Sequence, residues 1–171
     1  DYLTLAEHLG SLPGRTIAFV GDGNNVATSL AHLGVVLGVN VHVASPDGYD
    51  LPADVVARCR QAARHGASVR CFRDPHEAVK GAHVIYTDTW TSMGQEEETA
   101  KREKVFPPYQ VNEQLVSEAD KDVIVMHCLP AHRNNELTDE VADGPHSVIS
   151  PQAHNRLHAQ KAILARLFGV G

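Results

Sequence analysis

The chain has 171 residues, 43% apolar and 21% charged, which is long and apolar enough for one full-sized domain with its own core. Its net charge of −6 argues against the clustered basic face of a nucleic-acid binder, and no apolar run approaches the roughly 20 residues of a membrane span. No charged segment followed by an apolar one opens the sequence, so no signal peptide is expected.

Residues Tyr2–Leu9 put Leu3, Leu5, Ala6 and Leu9 at helical spacing, and Gly10 and Pro13-Gly14 end the pattern. Thr16–Val20 (TIAFV) is β-branched and aromatic between glycines, a buried strand. Gly21-Asp22-Gly23-Asn24-Asn25 then turns into a helix from Val26 to Leu37, stopped by Gly38. Asn40–Ala44 is the second strand, Pro52–His65 a helix, Ser68–Phe72 the third strand and Pro75–Lys80 a short helix. Ala82–Thr87 is the fourth strand. It runs into Asp88-Thr89-Trp90-Thr91-Ser92-Met93-Gly94 and a helix from Glu96 to Lys104 that Pro107-Pro108 breaks. Asn112–Glu118 is helical, and Asp122–Met126 is a fifth strand leading into His127-Cys128-Leu129-Pro130. Thr138–Ala142 is a brief helix, Ser147–Ile149 a short last strand, and Arg156–Phe168 an amphipathic terminal helix.

Five short strands alternating with helices imply an α/β fold: a doubly wound parallel sheet, a Rossmann-like three-layer αβα sandwich. The strand order expected for this pattern is 3-2-1-4-5, with the ligand crevice at the carboxyl ends of strands one and four. That order brings Gly21–Asn25 beside Asp88–Gly94, with Cys128 adjacent. An acid, a hydroxyl and a glycine turn at a strand end suit the head of an amino acid: Asp88 for an ammonium, Ser92 and backbone N–H groups near Gly94 for a carboxylate. The same residues also suit an ordinary capped βα turn.

Gly21-Asp22-Gly23 is half a dinucleotide fingerprint, but Val26 stands where the third glycine belongs, and the acid for a ribose is only Asp47. Asn24 or Asn25 at the helix start offers a third reading, a hydrogen bond to a ligand carboxylate. Cys128 is either a small core residue or, beside His127 and near Asp88, part of proton handling. Arg156 can fork onto phosphate or a carbonyl, or simply be solvated. Cys59, Cys71 and Cys128 are odd in number and form no CxxC pair. They point to free thiols in a reducing compartment, the cytoplasm in a bacterial-like setting or otherwise a mitochondrial matrix. The eleven histidines are scattered, without HExxH spacing. No metal site is expected, the nearest candidate being His127, Cys128 and His132 with no fourth ligand.

Taken together, Asp88-Thr89-Trp90-x-Ser92-Met93-Gly94, Gly21-Asp22-Gly23-Asn24-Asn25, His127-Cys128-Leu129-Pro130 and Asn155-Arg156 resemble the ornithine carbamoyltransferase family in order and spacing. The likeness covers nearly the whole chain and corresponds to the carboxyl-terminal, ornithine-binding domain. Cys128 and the Ser92-Met93-Gly94 loop resemble the ornithine enzyme; the aspartate-specific relative carries proline in place of Cys128.

The resemblance implies transfer of the carbamoyl group of carbamoyl phosphate to the δ-amine of L-ornithine, giving citrulline and phosphate, with no cofactor. It implies that Asn25, Asp88, Ser92 and Met93 hold the ornithine α-amino and carboxylate groups, and that Cys128 and Asp88 lie by the side-chain amine. The carbonyls of Cys128 and Leu129 would accept from the carbamoyl NH2, Arg156 would contact carbamoyl phosphate, and Asn24, His127 and Glu136 would support the site.

The chain departs from the family pattern at His154, where an acid is usual, and at Ser150-Pro151, where an aromatic–acid pair is usual; both bear on the setting of Arg156. The family's Ser-x-Arg-Thr-Arg loop and His-Pro-x-Gln segment are not among these residues. The chain is therefore expected to act with an amino-terminal carbamoyl-phosphate domain and to be inactive alone; the resemblance further implies a homotrimer or a multiple of trimers for the full enzyme. The core would be residues 15–150, with flanking helices 2–9 and 156–168 packing on the other domain. Competing readings are a carbamoyltransferase for another amine or amino acid, such as putrescine or an acylated ornithine, a non-catalytic nucleotide-binding module, and a catalytically dead scaffold.

Overall fold

The computed structural model describes residues 1–91 and 98–170. The strands β1 (Thr16–Val20), β2 (Asn40–Ala44), β3 (Val69–Phe72), β4 (Val84–Thr87) and β5 (Ile124–His127) form one parallel sheet in the order β3-β2-β1-β4-β5, as the alternation predicts. Side chains alternate through it. Ile17 and Phe19 join one buried cluster with Leu30, Val41 and Tyr86, while Ala18 and Val20 join another with Ala78, Ile85 and Val125. Both faces are covered, which is why the strands read as unbroken apolar runs.

Helices α1 (Tyr2–Leu9), α2 (Asn25–Val36) and α3 (Ala53–Ala62) contribute Leu5, Leu30 and Val55 to the first face. On the second face, α4 (Pro75–Val79) contributes Ala78. Helix α5 (Thr99–Val105) runs into a 3-10 turn at Pro107–Tyr109. Then α6 (Glu113–Ser117) and α7 (Asp139–Ala142) complete the second face with Leu115 and Val141. The starts of α2, α4, α6 and α7 are capped by Asn24, Asp74, Asn112 and Thr138, whose side chains accept backbone N–H groups that no helical carbonyl reaches.

Two departures from the sequence reading concern the carboxyl end. Ser147–Ile149 is no strand: Ser147 makes only an isolated bridge to Val125. Helix α8 (Ile149–Leu167) starts seven residues before Arg156. Pro151 falls in its first turn, where the missing N–H has no helical acceptor to lose, so the proline that looked like a boundary is inside the helix.

The register positions the site. Val20 is opposite Thr87, and Thr87 is opposite His127. Gly21, Asp88 and Cys128 therefore leave the sheet at the same level. Neighbours across a parallel pair point to the same face, so the Asp88 and Cys128 side chains go together while His127 goes to the other side.

Candidate active site

The turn after β1 is held by packing. A Cβ on Gly23 would collide with the backbone of Asp50 and Leu51, and the Gly23 N–H donates to the Tyr49 carbonyl at 2.8 Å. The glycine serves contact with the loop after β2. Asn24 Oδ1 accepts from the N–H groups of Val26 and Ala27, at 2.9 and 3.1 Å. Two of the donors that a dinucleotide pyrophosphate would use at this helix start are thereby occupied, which argues against that reading. Asn25 follows as the first residue of α2, exposed on the rim shared by three clefts.

Asp88 is the centre of the site. Its carboxylate is 8% exposed and accepts three hydrogen bonds: from Asn24 Nδ2 at 2.8 Å, from its neighbour's N–H, Thr89, at 2.8 Å, and from the Cys128 thiol at 2.9 Å. Cys128 is half-buried. Burial first, then the hydrogen bond and charge of Asp88, push its thiol up to about 12. At neutral pH it is a thiol that donates, and neither nucleophile nor base. Burial likewise pushes up the phenol of Tyr86, which lines the same cleft.

On the opposite side of β5, His127 Nδ1 accepts from the Leu129 N–H at 2.8 Å, so the ring carries its proton at Nε2 and gives it to Glu136 Oε1 at 3.0 Å. Glu136 Oε1 also accepts from the His132 N–H, and the side chain is fully buried. This pair braces the Cys128–Leu129 turn, where Leu129 adopts a left-handed φ of 58°. His127, Cys128 and His132 form no ligand cluster; among the described residues no group of three or more His, Cys, Asp or Glu does.

Of the clefts at the strand ends, two reach Asp88 or Cys128. One of about 700 Å³ is lined by Asn25, Asp88, Trp90, Thr99, Pro130 and Glu136. The other, about 430 Å³, is lined by Asn25, Tyr86, His127, Cys128, Gln152 and Arg156. The structure thus brings Asn24, Asn25, Asp88, His127, Cys128, Leu129, Glu136 and Arg156 to one end of the sheet. Arg156 is an exposed side chain in the second turn of α8 rather than at its start. Ser92 and Met93 lie outside the described residues.

Two site-building residues escaped the sequence reading. Gln152 is buried in the first turn of α8; its Oε1 accepts from the His127 N–H at 2.9 Å, and its Nε2 donates to the Tyr86 hydroxyl at 3.1 Å. Its spacing of four from Arg156 was the available signal. Arg102 of α5 is buried, with its guanidinium bonded to Asp22 and to the Trp90 carbonyl and stacked 4.7 Å over Tyr49. It ties the β1 turn to the loop after β4. Asp22, an acid inside a tight turn, was its only hint.

A family model described as aspartate/ornithine carbamoyltransferase, Asp/Orn-binding domain, matches residues 13–167. The chain is 54% identical over 170 residues to an ornithine carbamoyltransferase of Thermococcus kodakarensis, covering 99% of this chain and 54% of that protein. It is 52% identical to an anabolic ornithine carbamoyltransferase of Pyrococcus furiosus, again over 99% and 54%. The solved ornithine carbamoyltransferase from Pyrococcus furiosus superposes with a TM-score of 0.91 at 52% identity, covering 96% of this chain and 53% of that one. An N-acetyl-L-ornithine transcarbamylase superposes with a TM-score of 0.83 at 30% identity, over 96% and 53%. The chain spans about half the length of the curated relatives it matches.

Proposed function

Because the chain belongs to the aspartate/ornithine carbamoyltransferase family, as its Asp/Orn-binding domain, we propose that it supplies the amino-acid half of an ornithine carbamoyltransferase, making citrulline and phosphate from L-ornithine and carbamoyl phosphate. The observation that carries this is Asp88, a nearly buried carboxylate fixed by three donors at the mouth of the cleft.

An alkyl ammonium such as that of ornithine has a pKa of about 10.4, so the δ-amine must shed a proton before its lone pair can attack. Asp88 draws the amine in and orients it. Cys128, held as a thiol, forms no covalent intermediate; its hydrogen bond fixes Asp88. With one proton given up to solvent, the amine nitrogen bonds the carbamoyl carbon as the carbon–oxygen bond to phosphate breaks, and the nitrogen's remaining extra proton passes to the departing phosphate. Asn25, Ser92 and Met93 hold the ornithine head group, the carbonyls of Cys128 and Leu129 accept from the carbamoyl NH2, and Arg156 faces the phosphate. Holding two substrates in one cleft supplies much of the rate through orientation.

The remaining phosphate-binding groups come from a carbamoyl-phosphate domain outside these residues, in a trimer or multiple of trimers and in a reducing compartment that keeps the three cysteines free. Identity of 54% to an ornithine enzyme against 30% to an N-acetyl-L-ornithine enzyme favours unmodified ornithine. Titration calorimetry tests the reading: L-ornithine binds, putrescine binds more weakly for want of a carboxylate, and NAD does not bind. Binding of NAD without ornithine would overturn it. Citrulline formed at a normal enzymic rate by the 171-residue chain alone would overturn the division of labour between two domains.

A further inference from the structure

We propose that His154 and His158 form a bidentate site for a divalent transition-metal ion on the exposed face of α8. The two lie four residues apart in His154-Asn155-Arg156-Leu157-His158 and so share one helical row. Their Nε2 atoms approach to 3.1 Å, with ring centroids 4.8 Å apart and planes inclined at 74°. Two imidazole nitrogens bound at right angles to one ion, each at about 2.1 Å, stand about 3.0 Å apart. The observed separation matches the bite of such a chelate.

Without an ion, this contact holds only when one ring offers its Nε2 proton to the other's lone pair; two protonated rings repel. Both side chains are exposed, so an ion reaches them directly. Imidazole pairs select Cu²⁺, Ni²⁺ and Zn²⁺ over Mg²⁺ and Ca²⁺, with Cu²⁺ strongest. Among the described residues no third His, Cys, Asp or Glu joins the pair, so water fills the other positions and the ion exchanges freely. A bound ion links two successive turns of α8, the helix that also carries Gln152, Asn155 and Arg156.

NiCl2 titration followed by NMR of the histidine Cε1–H signals tests the site with a readout independent of turnover. His154 and His158 should broaden first, and EDTA should reverse it. His158→Gln, which retains helix propensity, should weaken binding on the order of tenfold or more with an unchanged circular dichroism spectrum. The melting temperature should rise in NiCl2 for the unsubstituted protein and stay put for His154→Gln/His158→Gln. Broadening that begins at other histidines, or equal titration of the protein and His158→Gln, overturns the proposal.

Discussion

Cys128 donates its proton to Asp88, and a thiol that donates is not available as a nucleophile. Iodoacetamide at pH 8 should leave Cys128 almost unmodified, with its alkylation rate climbing only as pH approaches 12, read by mass spectrometry of the peptide. The same shift sets a stability dependence. The folded-state value, about 12, lies above the unperturbed 9.0, so the contribution is intact below pH 9.0 and is lost as pH rises towards 12. Cys128→Ser also donates to Asp88 but does not ionise in this range, so urea melts of that variant should show a flatter alkaline limb. Asp88→Asn turns an amide NH2 towards a site built from donors, Asn24 Nδ2 and the Cys128 thiol. Carbamoyl transfer by the complete enzyme should fall on the order of 10²–10⁴-fold. With the anion gone, the pH profile of Cys128 alkylation should move down towards that of an ordinary thiol.

At the scale of elements, side-chain amides hold the helices to the sheet. Asn24 caps α2 and reaches Asp88 with its other end, so the start of one helix and the end of one strand share a residue. Gln152 does the same between α8 and β5. Gln152→Ala leaves the buried His127 N–H without its acceptor and should cost about 1–3 kcal/mol in denaturant melts. Two substitutions test the hydrogen bonds that Glu136 accepts. Glu136→Ala orphans the His127 Nε2–H and the His132 N–H, whereas Glu136→Gln keeps a carbonyl oxygen for both. The alanine variant should be the less stable by about 1–3 kcal/mol. The helices that Asn24, Asp74, Asn112 and Thr138 cap were legible as local patterns, but the capping role of these four residues was not read from the sequence. The start of α8 was not legible, because a proline is equally at home in a loop and in a helix's first turn.

For the whole molecule, the parallel order β3-β2-β1-β4-β5 converts three separated motifs into one site by aligning the ends of β1, β4 and β5. The flanking helices were expected to face another domain. In the structure they hold each other, through Asn155 Nδ2 bonded to Thr4 and Glu7 across α1 and α8. The later turns of α8 expose Leu157, Ile163, Leu164, Leu167 and Phe168. Contiguous apolar surface of this kind drives association. Leu164→Lys with Leu167→Lys should reduce self-association of the 171-residue chain in light scattering, while changing stability by no more than about 0.5 kcal/mol.

The sequence by itself determined the five strands of the sheet, their order and several of the residues that gather at their ends, since these follow from local apolar runs, glycine punctuation and a handedness rule common to all L-polypeptides. Thr16–Val20 and Asn40–Ala44 have the bounds their residues predict. Only the tertiary structure decided the protonation of Cys128, the tautomer of His127, and the burial of Arg102 and Gln152. Each of these depends on partners between 2 and 80 residues away along the chain. Hydrogen-bond geometry and desolvation arise between segments once they are folded together, and no local pattern encodes them.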